Sequence, residues 1–409
     1  MFGSPGQHGT VTRGTAAAVM FGGAALGLTL AGCAAGQGPA AAQSPAQPTS
    51  AQQTAAPQPT VSGAMSGTAS GETSAAAKVP WPLVGPGWVL DTYSTGTAAK
   101  PAPTTLYLAS PAGAKYPLLS WPVSGTPAPF LEAWAGDKTE ALLGLDSASG
   151  MPDGYGELDL MTGRMTRVAF ADAATLPLGY TRPDGQQILG VTQRGSDYIV
   201  ARYTQAGALV QTLATGPDAA DAVYSPDGTA LAVTAPGGVR LVSNAGGVLR
   251  NLPVPGATAK SACQPVRWWD ATTILAGCQG LGLWLVPSGG GAPTELTPVR
   301  RASFDLGDLD AWQLPSGLYL QSLGACGAFE LNKQARDGSV TAVTVPGMTH
   351  TPVVVTASGS RLLIKARDCH GGDELAWYNP ATGAEQWIFT SGAGSGAVAY
   401  NDPDNGTIR

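Results

Sequence analysis

From residue 79 onward, short apolar runs alternate with clusters of Gly, Pro, Asp and Ser, a pattern of strands bounded by turns. The pattern recurs. Tyr180-Thr181-Arg182-Pro183-Asp184-Gly185 precedes the alternating run 186–191, and Val223-Tyr224-Ser225-Pro226-Asp227-Gly228 precedes 229–233. A more divergent copy, Val266-Arg267-Trp268-Trp269-Asp270, precedes 271–276. Asp184, Asp227 and Asp270 follow one another at intervals of 43 residues. Each copy reads as an aromatic-rich strand, a turn and an alternating strand, and two further strand candidates follow, as at 239–242 and 247–250 in the second copy. Four short strands per 40–45 residues is the period of a propeller blade. Fainter copies fall near Asp137, Ser316 and Ser358, and 86–121 has room for one more around Trp88, Leu106 and Leu118. The expected fold is all-β: a seven-bladed β-propeller of four-stranded antiparallel blades over 79–409, with about 47 residues per blade.

The core Tyr224-Ser225-Pro226-Asp227-Gly228-Thr229-Ala230-Leu231-Ala232, with Leu283-Trp284-Leu285-Val286-Pro287 and Pro293-Thr294-Glu295-Leu296-Thr297, resembles the TolB-like and WD-repeat-like propellers of bacterial periplasmic and surface proteins. The resemblance covers roughly 80–400. It implies inner strands around a central channel and rims that serve as an interaction platform. It also implies that Pro183, Asp184, Gly185, Pro226, Asp227 and Gly228 shape turns, so the two aspartates are not catalytic. The run 397–400, followed by the turn residues 401–406, repeats the strand-then-turn pattern and is placed to complete the blade begun near Trp88, which would latch the ring.

The first 78 residues are different. Arg13 precedes 14–31, which is small or apolar except for Thr15 and Thr29. Eighteen such residues reach the lower limit of a membrane span. The run ends in Leu30-Ala31-Gly32-Cys33, which resembles the lipobox of bacterial lipoproteins. That resemblance implies that 1–32 is a signal peptide and that Cys33 becomes the lipidated first residue; the alternative is an uncleaved N-terminal anchor. The segment 33–78 holds no aromatic residue, and Glu72 and Lys78 are its only charges. A chain of Ala, Pro, Gln, Ser and Thr buries too little apolar surface to offset its ordering entropy, and so is expected to be a disordered tether.

Composition narrows the function classes. The 56 glycines and 33 prolines make turns plentiful, and charged residues are only 12% of the chain. With 22 basic against 28 acidic residues and a net charge of -6, no broad basic surface for nucleic acid is expected. Beyond Cys33 the cysteines number four, at 263, 278, 326 and 369. Cys263 and Cys278 fall opposite one another across a hairpin centred on 270–271, and Cys326 and Cys369 occupy matching strand ends of adjacent repeats. Four cysteines allow three pairings; we prefer 263–278 with 326–369, in keeping with an oxidising compartment.

Motifs for chemistry are sparse. Only His350 and His370 follow Cys33, and there is no Gly-x-Ser-x-Gly, no phosphate-cradling Gly-x-x-x-x-Gly-Lys and no Cys-x-x-Cys. The run Asp368-Cys369-His370-Gly371-Gly372-Asp373-Glu374 has metal-ligand types, but reads first as a polar loop with a disulfide. Asp305, Asp308 and Asp310 have the oxygen ligands calcium takes, but read first as a solvated connector. The tryptophans read as blade packing. No cofactor or metal is implied. The expected function is a lipid-anchored, non-enzymatic interaction module holding a cell-surface protein or polymer, with the membrane as partner through its lipid. The alternative is a glycan-active or quinone-dependent propeller enzyme whose carboxylates work at the axial channel.

Overall fold

The computed structural model describes residues 78–408, except for 97–99, 101, 124–128, 135–138, 147–151, 259–261, 299–306, 324–328, 349–350, 368–372, 391–397 and 403–406. Regular structure in these residues is β-strand, apart from 3-10 turns ahead of the first strand, one of them Trp81–Leu83.

Strands β1(Val89–Ser94), β2(Thr104–Ala109) and β3(Lys115–Trp121) form an antiparallel meander, and three four-strand meanders follow it. They are β4(Phe130–Trp134), β5(Glu140–Asp146), β6(Pro152–Asp159), β7(Met165–Val168); then β8(Thr175–Tyr180), β9(Gln187–Arg194), β10(Asp197–Thr204), β11(Leu209–Gly216); then β12(Ala222–Tyr224), β13(Ala230–Pro236), β14(Gly238–Ser243), β15(Val248–Pro253). The next set is β16(Ala262–Trp268), β17(Thr273–Cys278), β18(Gly282–Pro287), β19(Thr294–Glu295). It is followed by β20(Asp308–Leu314), β21(Gly317–Leu323), β22(Phe329–Gln334), β23(Val340–Ala342) and by β24(Pro352–Ser358), β25(Arg361–Arg367), β26(Asp373–Asn379), β27(Ala384–Phe389). The chain ends with β28(Val398–Asp402) and β29(Thr407–Ile408).

β28 returns to pair with β1 in the register Val89↔Tyr400, Leu90↔Ala399, Asp91↔Val398, and β29 pairs beyond it, so the C-terminal strands complete the first sheet as a five-stranded one. First strands of neighbouring sheets approach one another, β28 beside β4, β4 beside β8, β12 beside β16 and β24 beside β28, which puts them on the axial side. This is an all-β propeller of four-stranded antiparallel blades.

The expected count of seven blades is corrected. Five sheets stand alone, and an eight-stranded sheet takes the place of two blades. In it β13 reaches β16 through Ala235↔Cys263 and Pro236↔Ala262, fusing β12–β15 with β16–β19. The 43-residue interval sets the length of a unit, but it is silent on whether the edges of two units hydrogen-bond.

Apolar clusters fill the spaces between successive sheets. Leu131, Trp134, Ala141 and Leu143 pack with Leu90, Leu106 and Leu108, and Trp377, Ile388 and Phe389 of the last blade pack with Val89 and Ala109 of the first. Tyr93 stacks on Phe389 at 4.4 Å, and Lys115 Nζ donates to the Ile388 carbonyl at 2.8 Å, so the closure is held by side chains as well as by β28. Trp88, Trp134, Trp268, Trp312 and Trp377 are buried in these layers, in keeping with packing.

Candidate functional site

The repeat motif is a set of self-satisfied turns. Asp227 Oδ1 accepts bonds from Ser225 Oγ at 2.6 Å and from the Thr229 amide at 3.0 Å, which hold its carboxyl below the usual carboxylate range. Asp184 takes the Gln186 amide at 3.1 Å, and Asp270 takes that of Thr272 at 2.7 Å. Gly185 and Gly228, which follow Pro183-Asp184 and Pro226-Asp227, adopt φ +65° and +70°. A Cβ on Gly228 would meet the Arg182 carbonyl carbon at 2.6 Å, so this turn lies directly on the backbone of the preceding repeat.

The acidic run at 305–310 is corrected in part. Asp305 lies outside the described residues, but Asp308 and Asp310 are buried in β20 instead of sitting on a solvated connector. Ser322 Oγ donates to Asp308 Oδ1 at 2.6 Å. Asp310 Oδ2 pairs with Arg267 Nη1 of the neighbouring first strand β16 at 3.1 Å, and that guanidinium lies 4.6 Å from the centre of the Trp312 ring. Two charges in such surroundings tolerate burial only as a pair. Of the run 368–374, the residues 368–372 lie outside the described residues, and Glu374 is buried in β26. Cys33, Cys326, Cys369, His350 and His370 also lie outside them. Cys263 faces Cys278 across β16 and β17, and the two are joined by a disulfide beside the β13–β16 junction. Among the described residues no group of three or more His, Cys, Asp or Glu is placed to hold a metal ion, and no helix is long and apolar enough to cross a membrane.

The carboxylates shifted most among the described residues are on the second sheet, and one of them is bonded from the third. Glu132 is the extra residue of a bulge in β4, between the pairs Leu131↔Leu143 and Ala133↔Leu142. On β6, Tyr155 and Glu157 are two apart and share a face, opposite Gly144 and Leu142, while Glu140 opposes Asp159 on that same face. Tyr180, from β8 of the next sheet, donates its hydroxyl to Glu157 Oε1 at 3.3 Å. Phe170 meets Tyr155 and Tyr203 edge-on at 5.7 and 5.1 Å. Burial pushes Glu132 up to about 7. Burial and then the Glu140 charge push Glu157 up to about 7, against the lowering effect of the Tyr180 bond. Tyr155 is raised by burial and then by Glu132, and Tyr180 by burial and then by Glu157.

Carboxyls that exchange a proton near neutrality suit acid-base work and pH sensing alike. Sequence reasoning missed this set. Its members come from three strands with no fixed spacing, and one sits at a bulge, which shifts the alternation that would have marked its face.

No protein-family profile matches the chain, and no curated protein matches it. Solved structures similar to it include a puromycin hydrolase, at 18% identity and TM-score 0.48 over 78% of this chain and 54% of that one. A puromycin-hydrolyzing peptidase from Mycobacterium tuberculosis matches at 16% identity and TM-score 0.45 over 70% and 50%. TolB from Acinetobacter baumannii matches at 17% identity and TM-score 0.40 over 76% and 66%. The chain thus spans about half the length of the two hydrolases. Likenesses this distant carry no argument about activity, and the fold assignment rests on the sheet order.

Proposed function

We propose that this chain is a lipid-anchored, extracytoplasmic propeller that acts as a non-enzymatic interaction module of TolB-like type, tied to the membrane through Cys33 and holding a cell-surface protein or polymer. The observation that carries the reading is two pairs of exposed apolar side chains on the outer strands of successive repeats. Leu209 and Val210 on β11 are 56% and 44% exposed, and Val248 and Leu249 on β15 are 58% and 56% exposed. The Gln211 side chain of β11 donates to the Ala245 carbonyl in the turn between β14 and β15, so that turn lies against β11. Residues 205–217 carry no charge, although an outer strand open to water is usually guarded by one. A photo-crosslinking residue at position 249 should trap a partner on intact cells, and Val210→Ser with Val248→Ser should abolish the adduct. Adducts unchanged by those substitutions would count against the reading.

A second reading is favoured by Glu132 and Glu157: an enzyme, glycan-active or quinone-dependent, that uses these carboxyls for proton transfer. It predicts a turnover that Glu132→Gln abolishes with the fold intact. The binding module is preferred because Glu157 already holds an inter-sheet bond from Tyr180, a structural duty that accounts for its place.

A further inference from the structure

The largest outward exposure of an apolar side chain in the described residues is not on β11 or β15. It is Leu83, 73% exposed. Leu83 ends the 3-10 turn Trp81–Leu83, flanked by exposed Pro82 and by partly buried Trp81, whose ring packs on the first apolar cluster. The turn is fixed from both sides. Val79 and Val84 are buried in that cluster, the Leu83 amide donates to the Pro80 carbonyl at 2.8 Å, and the Val84 amide donates to that of Trp81 at 3.1 Å. Leu83 is therefore held outward by a pinned backbone and is not a frayed end. Lys78, exposed and cationic, precedes the turn, with Val79 and Pro80 between them.

What lies upstream indicates the occupant. Residues 34–77 carry a single charge, Glu72, and lead directly into Lys78. If Cys33 carries the lipid and the residues between it and Lys78 form the tether expected from their composition, this segment is the whole connection to the bilayer and its length corresponds to a reach of about 35–40 Å. Within that reach the turn meets the membrane surface at an effective concentration in the millimolar range, so a contact too weak to hold alone persists once the lipid holds the chain. A basic residue followed by Trp and Leu has the side-chain chemistry that settles at a bilayer interface, with the ammonium toward the headgroups and the apolar groups below.

We propose that the turn Trp81–Leu83, with Lys78, docks on the bilayer that the lipid anchors, so that the propeller rests against the membrane by its tether side. The proposal rests on the lipid-anchor reading.

The test uses the full mature chain in vesicles of phosphatidylcholine and phosphatidylglycerol, 3:1, with and without bromine on the phosphatidylcholine chains, which quench only tryptophans that touch them. With 10 tryptophans in the chain, docking of Trp81 should quench on the order of a tenth of the emission. Leu83→Ser should reduce the quenching at least threefold with vesicle retention and thermal unfolding unchanged. Leu83→Trp, which keeps the apolar contact and adds a reporter, should about double it. Retention with quenching equal in wild type, Leu83→Ser and Leu83→Trp would overturn docking and leave the anchor standing. Failure of the wild type to float with the vesicles would overturn the anchor and the docking together. A self-association that Leu83→Ser abolishes, without bromine quenching, would overturn docking in favour of a second copy of the chain.

Discussion

Replacing Glu132 by glutamine removes a proton that the fold holds more tightly than the unfolded chain does. The folded value is about 7 against 4.5 for the unperturbed group. Between those values the folded chain binds the extra proton, so its stabilising effect is complete below about pH 4.5 and is lost as pH rises through 7. The shift is worth about 3 kcal/mol at most. Glutamine fills nearly the same volume and stays neutral at every pH. The difference in unfolding free energy, Glu132→Gln minus wild type, should therefore rise by about 2–3 kcal/mol between pH 5 and pH 8, with the variant gaining toward alkali. Urea unfolding at fixed ionic strength across that range reads it directly, with the slope against denaturant unchanged. Glu157 titrates in the same window and the same direction in both proteins, so the variant should still lose stability toward alkali, less steeply than the wild type does. A difference that is flat with pH would show that the Glu132 carboxyl is solvated, and would remove the acid-base argument with it.

Four other outcomes follow, three from named contacts and one from the proposed anchor. Arg267→Ala should cost about 3–5 kcal/mol in thermal or chemical unfolding, because Asp310 would stay buried without its partner, and the pair change Arg267→Met with Asp310→Leu should cost less. Cys263→Ser should cost about 3 kcal/mol for a disulfide separated by 15 residues, and the wild type should lose a similar amount under reductant. Gly228→Ala should lower the melting temperature while leaving partner capture intact at permissive temperature, since its Cβ would strike the Arg182 backbone and strain a φ of +70°. Cys33→Ala should move the chain from the detergent phase to the aqueous phase; unchanged membrane retention with normal processing would remove the anchor.

Much of the blade architecture was legible because it is periodic. Asp184, Asp227 and Asp270 mark turns whose aspartates bond their own backbone, a local chemistry that does not depend on neighbouring sheets. The facing of Cys263 and Cys278 followed from the position of one such turn. What depends on contacts between repeats was not legible. The fusion of β13 with β16 rests on two residue pairs at the strand ends. The burial of Asp310 depends on Arg267, 43 residues earlier on another strand, so an acid that looks solvated in the sequence is an interior group in the fold. The Glu132, Glu157 and Tyr180 set joins two sheets through a bulge and one hydroxyl, and no spacing announces it.

The central claim is that the propeller acts by holding a partner at its apolar outer strands. Proximity labelling on intact cells, comparing the wild type with a Leu209→Ser, Val210→Ser, Val248→Ser, Leu249→Ser variant that folds and stays anchored, tests it most directly. The variant should lose one or a few labelled partners and keep the general membrane background. Identical labelled sets from the two proteins, together with a turnover that Glu132→Gln abolishes, would contradict it.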